Sequence, residues 1–213
     1  MAKTAVIAGA TGLVGSHLLP LLCEHYDQVA AFTRRPLSFS VPNLRELPFT
    51  DLHNSWGPTD DAYCCLGITI AKAGSKEAFL AVDHDLVIDF AKAARTNGAR
   101  QFAVVSSVDA SHSCPLFYLK VKAKMEDAVS HLGYDSVHIA QPSFLLGQRD
   151  QARTMEQLGI VVAKAIGPLL IGPLSRYRAI TAHDVAAAML EAAKQGKPGV
   201  HRMLYRDLMN NVA

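Results

Sequence analysis

The sequence predicts an α/β chain built on a doubly wound parallel sheet, and three observations carry that prediction. The first is the opening run Thr4 to Leu22, which reads as strand, glycine turn and helix in succession. The second is the alternation of short apolar runs with stretches of helical periodicity along the chain. The third is Phe102 to Val105, a continuously apolar run of the kind expected of a central parallel strand covered on both faces. The 213 residues suffice for one domain, 1–213, with a sizeable core.

In chain order, Thr4 to Ala8 form the first strand, and the helix after the glycines carries Leu18, Leu21 and Leu22 inward with Pro20 inside it. Gln28 to Thr33 is the second strand and Leu44 to Phe49 a short edge strand. Asp61 to Leu66 is the next strand, and a polar loop, Gly67 to Ser75, follows it. Glu77 to Asn97 is helical with a break near Asp83, closed by Asn97 and Gly98 in a left-handed cap. Gln101 to Ser106 is a strand, Pro115 to about His131 a helix with Pro115 as its first residue, and Ser136 to Ala140 the sixth strand. Gln148 to Arg178 break the rhythm, and 143–182 read as a segment over the substrate side. His183 to Lys194, capped by Thr181, is a last long helix, and Val200 to Tyr205 a last strand.

Half the residues are hydrophobic, so the chain is globular. A net charge of +2 with both signs scattered gives no reason to expect nucleic acid or an anionic membrane as partner. No run reaches the ~18 apolar residues of a membrane span. No signal-peptide pattern precedes the first strand, and the four cysteines form no C-x-x-C pair. A reducing, cytoplasmic setting is the expectation. The nine histidines form no ligand pair, so no metal site is expected.

The glycines Gly9, Gly12 and Gly15 follow the first strand at three-residue spacing. In a dinucleotide-binding turn the first allows the turn, the second lets backbone approach a pyrophosphate, and the third packs helix on strand. The helix N-terminus then faces the phosphates. The second strand ends in Thr33, Arg34 and Arg35, where an acid would hold the 2′-hydroxyl of NAD and an arginine the 2′-phosphate of NADP. NADP(H) is therefore favoured over NAD. The expected cofactor contacts are Gly9, Thr11, Gly12, Leu13, Val14, Gly15, Arg34, Arg35, Leu66, Gly67, Ser106, Pro142 and Ser143, all following predicted strands.

Tyr118 and Lys122 stand four residues apart, one turn apart on one helix face, with Ser106 and Ser107 ending the preceding strand. A phenol can donate a proton to a carbonyl oxygen as hydride arrives. An ammonium ~4 Å from it is worth about 4 kcal/mol at a surface-like dielectric and makes the phenol easier to ionise. Lys120 and Lys124 fall on another face, in solvent. Phe117, Val121 and Met125 are helix core or the face of a homodimer.

At these residues the chain resembles the short-chain dehydrogenase/reductase family, whose fold is the Rossmann sheet. Gly9-Ala-Thr-Gly-Leu-Val-Gly15 and Gln141-Pro-Ser-Phe-Leu-Leu-Gly147 are similar to the extended and atypical branches. Cys65-Leu-Gly-Ile-Thr69, Lys72-Ala-Gly74, Val82-Asp-His-Asp85 and Ser106-Ser107 with Tyr118-Leu-Lys-Val-Lys122 look like the Tat-interacting oxidoreductase-like proteins. The resemblance implies NADPH binding, with Ser107 as the catalytic serine, Tyr118 as general acid and Lys122 as its partner on the nicotinamide ribose. Asp83 is the nearest counterpart of a relay asparagine. Only about 70 residues follow the sixth strand, little protein to hold a nucleotide sugar. Two functions are thus in view: an NADP(H)-dependent oxidoreductase of a small carbonyl or alcohol, and an NADP(H)-binding regulatory protein with little turnover.

Overall fold

The computed structural model describes residues 2–146 and 170–212. Seven strands form one parallel sheet in the order β3-β2-β1-β4-β5-β6-β9. They are β1 (Thr4–Ala8), β2 (Gln28–Thr33), β3 (Leu44–Pro48), β4 (Asp61–Cys64), β5 (Gln101–Val105), β6 (Ser136–Ala140) and β9 (Gly199–Met203). The order reverses direction between β1 and β4, which is where a doubly wound sheet opens a crevice beyond its strand ends.

Alternation along the strands sends side chains to two cores. Ala5 and Ile7 of β1 pack with Leu18 and Leu22 of α1 (Gly15–His25), Val185 and Met189 of α6 (Ala182–Gln195) and Leu208 of α7 (Tyr205–Val212). Val6 and Ala8 pack on the other face with Phe90 of α4 (Leu86–Thr96), Phe102, and Met125 and Val129 of α5 (Phe117–Ser130). Each large apolar side chain buried this way contributes roughly 1.5–3 kcal/mol. Cys64 joins the second core and Cys65 the first, as adjacent strand residues must. Burial pushes the Cys64 thiol up to about 12, so it is an inert core residue.

Several elements differ from expectation. Pro115 is not helical: Leu116 keeps an extended backbone and α5 begins at Phe117. Val121 and Met125 are buried within the chain itself and belong to the core, while Phe117 is half-buried. The loop after β4 contains α2 (Ile70–Ala73), which Thr69 caps by accepting from the Lys72 amide. Ser75 caps α3 (Lys76–Leu80) in the same way, and both hydroxyls are spent locally. Pro20 leaves α1 a single helix. The strand pair β7 (Leu145–Leu146) with β8 (Ile180–Thr181) and the helix α7 have no counterpart in the periodicity. Most of Gln148 to Arg178 lies outside the described residues, as do Gly167, Pro168 and Leu169 of the expected substrate-side segment. No helix among the described residues is long and apolar enough to cross a membrane.

The glycine turn ties the first helix to the sheet. A Cβ on Gly15 would lie 2.1 Å from the Gly9 carbonyl oxygen, so no other residue fits. Gly15→Ala should therefore destabilise the fold by at least the ~1–3 kcal/mol of an overpacked core. Gly12→Ala, whose nearest contact is 3.2 Å, should lose less stability in urea than Gly15→Ala. A second expectation concerns His138 on β6. Its Nε2 meets Ser136 Oγ at 2.9 Å, and the Ser136 hydroxyl donates to the Lys197 carbonyl. Burial, then His201 and Lys197, push the imidazole down to about 4. The unfolded chain takes up that proton near pH ~6.5 and the folded chain does not. The contribution is thus fully present above pH ~6.5 and falls by up to about 3 kcal/mol as pH drops towards 4. Urea titrations at several pH values should show a flatter slope for His138→Gln than for the natural chain.

Candidate functional site

Parallel strands deliver every chain segment that follows them to one edge of the sheet. That edge receives Gly9 after β1, Arg34 after β2, Leu66 and Gly67 after β4, Ser106 and Ser107 after β5, and Pro142 and Ser143 after β6. Gly9 adopts φ +85°, and a Cβ there would come within 2.5 Å of the Cys65 carbonyl carbon. Gly9 and Gly15 are therefore demanded by the fold itself. Gly12 is different: a Cβ there meets only the Gly9 and Cys65 oxygens, at 3.2 and 3.6 Å. The α1 N-terminus beside it has no side-chain cap and no acid in its first turn. Thr11 is exposed, Leu13 half-buried and Val14 buried. An uncapped helix end behind a bare glycine fits a diphosphate, so these residues suit a dinucleotide.

Arg34 and Arg35 are exposed at the end of β2, and no acid pairs with either among the described residues. Glu46 on β3 accepts from the Leu37 amide at 3.0 Å and from Thr33 Oγ1 at 3.5 Å. Leu66 is half-buried and packs against the second core, leaving Gly67 exposed beside it.

The two serines have opposite fates. Ser106 is buried and its hydroxyl donates to Glu126 Oε1 at 2.5 Å, so that hydroxyl is engaged within the protein. Ser107 is half-buried and, among the described residues, its hydroxyl donates only to the Val108 carbonyl, at a long 3.3 Å. Ser107 is thus the serine able to turn to a substrate. Ser143 was expected at the cofactor; its hydroxyl instead donates to the Arg178 carbonyl at 2.6 Å, binding β6's end to the chain before β8. Pro142 is buried, and its carbonyl accepts from the Val108 amide.

Tyr118 is half-buried with its ring 5.7 Å from Phe79, and its hydroxyl has no protein partner among the described residues. Lys122 was expected to act beside it on the phenol and on the nicotinamide ribose. Its Nζ instead lies 2.8 Å from Asp83 Oδ1, with side-chain exposures of 4% and 1%. Asp83 sits in a five-residue π turn, Ala81–Asp85, at the predicted helix break, and its Oδ2 accepts from the Ile68 amide at 2.8 Å. Such turns widen a helix by one residue and favour functional sites. A buried pair of this kind adds little net stability, but removal of one partner strands the other charge and costs about 3–5 kcal/mol.

Sequence reasoning missed Glu126. It lies four residues beyond Lys122, so Tyr118, Lys122 and Glu126 form one polar stripe on α5. Glu126 is buried and accepts from Ser106, from Gln141 Nε2 at 2.8 Å and from Arg202 Nε at 2.9 Å. It anchors the helix to the ends of β5 and β6 and to β9. The repeated four-residue spacing was visible in the sequence; its burial was not, because the partners come from three other elements. Beyond Ser107, Asp109 adopts φ +60° and its carboxylate accepts from the Tyr177 hydroxyl at 2.8 Å. No cluster of three or more His, Cys, Asp or Glu suited to a metal occurs among the described residues.

A seven-stranded parallel sheet with this reversal and this glycine turn defines an NAD(P)-binding α/β protein of Rossmann type. The chain belongs to the NAD(P)H-binding family whose model matches residues 9–196. It is 34% identical over 206 residues to "Protein FMP52, mitochondrial" of Candida albicans, covering 91% of this chain and 89% of that one. It is 33% identical over 214 residues to the protein of the same name from Coccidioides immitis, covering 90% and 85%. Among solved structures it is similar to MoeE5 in complex with UDP-glucose and NAD, with a TM-score of 0.71 at 16% identity over 94% of this chain and 75% of that one. The human epimerase family protein SDR39U1 with NADPH gives a TM-score of 0.66 at 17% identity, covering 95% and 74%. Those two likenesses are of fold alone. The cytoplasmic expectation is overturned by the relatives, which are named as mitochondrial proteins. The absence of a recognisable signal peptide speaks only about secretion, which is why it misled.

Proposed function

We propose that the protein is an NADP(H)-dependent reductase of a small carbonyl compound, working in or at mitochondria like the relatives named for that compartment. The observation that carries this reading is the Tyr118 hydroxyl, without a protein partner among the described residues, on the same face of α5 as Lys122 and at the sheet edge that holds the glycine turn. A reduced nicotinamide bound there would supply the hydride that the carbonyl carbon receives. Ser107 orients the carbonyl oxygen, and Tyr118 gives that oxygen its proton, so the product is the alcohol. Lys122 supports the phenol and the cofactor ribose. Arg34, with Arg35 beside it, holds the 2′-phosphate, which selects NADP(H) over NAD(H). Placement among the Tat-interacting oxidoreductase-like proteins belongs to the same proposal and rests on the motifs around Cys65, Val82 and Tyr118. A second reading, an NADP(H)-binding regulatory protein, is favoured by one fact: the Lys122 ammonium is already engaged by Asp83.

Cofactor choice is tested at Arg34. A charge-assisted hydrogen bond is worth ~1.5–3 kcal/mol, or about tenfold to over a hundredfold in affinity. In calorimetry Arg34→Ala should lose that factor for NADPH and almost nothing for NADH. Equal losses for both would remove the phosphate contact. Chemistry is tested at Tyr118 with a panel of aldehydes, ketones and quinones. Tyr118→Phe should keep NADPH affinity while reduction of any accepted substrate falls ~10²–10⁴-fold. An equally fast Tyr118→Phe enzyme would refute the proton role, and tight NADPH binding by the natural protein with no turnover would favour the regulatory reading.

A further inference from the structure

We infer that Arg176 is the substrate anchor of the proposed site, and that the carbonyl compound taken there carries a carboxylate. The inference rests on the reading of Ser107 and Tyr118 as the reducing pair. Three observations carry it. The first is that the turn Gly172–Tyr177 brings a guanidinium to the chain just past Ser107. Arg176 Nη2 donates to the Tyr177 hydroxyl at 2.8 Å, and that hydroxyl donates at 2.8 Å to Oδ2 of Asp109, two residues beyond the serine. The guanidinium carbon also lies 4.8 Å from the centre of the Tyr177 ring, so the ring and its hydroxyl position the charge together. The second is the backbone of Asp109, whose φ of +60° is the one positive value for a non-glycine residue among the described residues. An aspartate tolerates that conformation better than most residues, and such positions cluster at functional sites.

The third is that the guanidinium is held but not used up. The Arg176 side chain is 45% exposed. Among the described residues it makes no hydrogen bond beyond Tyr177, and Asp109 Oδ1 stands 3.6 Å from Nη2, too far for one. Arginine has five N–H donors in a planar fork that matches a carboxylate. Arg178, on the same segment, is engaged instead: its Nε donates to the Leu170 carbonyl at 2.9 Å. The segment is also tied to both loops of the site. The Ser143 hydroxyl donates to the Arg178 carbonyl after β6, and the Val108 amide donates to the Pro142 carbonyl between the two strand ends. A carboxylate arriving beside Ser107 would meet a fork whose plane is set before binding, which reduces the ordering that binding must supply. One guanidinium with an acid beside it suits a single negative charge better than a phosphate dianion.

The test uses the full chain with NADPH and two matched pairs of carbonyl compounds: pyruvate with methyl pyruvate, and 4-oxopentanoate with methyl 4-oxopentanoate. The natural chain should favour at least one acid over its ester by about tenfold or more in kcat/KM. Arg176→Met should bring that ratio close to one, chiefly by raising KM for the acid, and Arg176→Lys should restore part of it, because a lysine returns the charge without the fork. A turn that only clasps the two loops would behave differently: acid and ester would lose activity alike and the ratio would survive. That result, or a natural chain that reduces esters and favours neither acid, would overturn the inference and leave the reductase reading standing. Thermal unfolding gives a readout free of turnover: 4-oxopentanoate should raise the melting temperature of the natural chain and not that of Arg176→Met. If no carbonyl is reduced but this shift is seen, the reductase reading falls and the anchor stands. With neither reduction nor shift the anchor falls as well. Should Arg176→Met fail to fold, Arg176→Gln takes its place in both measurements.

Discussion

The structure depends first on a backbone contact that leaves no room for a side chain. Gly15 lies against the Gly9 carbonyl, and Gly9 lies against the Cys65 carbonyl at the end of β4. Those contacts bring α1 down onto the sheet, keep β1 and β4 adjacent at the reversal of strand order, and leave the helix N-terminus pointing beyond the strand ends. Everything proposed about nucleotide binding follows from that placement. Gly12 sits within the same turn but is not needed to close it, so its bareness is available to a ligand.

The second organising feature is the polar stripe of α5. Its residues do different work at successive turns. Tyr118 presents a hydroxyl without a described protein partner, Lys122 is held by Asp83, and Glu126 is the anchor that accepts from Ser106, Gln141 and Arg202. A buried carboxylate at one end of the stripe and a buried ion pair in its middle restrict how α5 can slide or rotate against the sheet. That rigidity suits the proton donor proposed at Tyr118, because effectiveness falls steeply when such a group is misplaced by an ångström. It also explains why two adjacent serines differ. Just past the strand end, Ser106 donates inward to Glu126, while Ser107 stays half-buried with a long bond to the next carbonyl.

What the sequence by itself determined is what depends on neighbours along the chain. Strand and helix periodicity placed the main-sheet strands, the spacing of Gly9, Gly12 and Gly15 announced a nucleotide turn, and the irregularity near Asp83 marked a break that is a π turn. Thr181 was legible as a cap because its role is completed by Asp184, three residues on. Only the tertiary structure decided the pairings between distant segments. Asp83 meets Lys122 across 39 positions, and Glu126 collects partners from the chain just after β5, just after β6 and from β9. The bond of the Ser143 hydroxyl to the Arg178 carbonyl is of the same kind. Burial turns such residues from surface polarity into a built site, and burial is a property of the packed chain: the charge of a lysine or a glutamate says nothing, alone, about which carboxylate or amide will be brought within 3 Å of it.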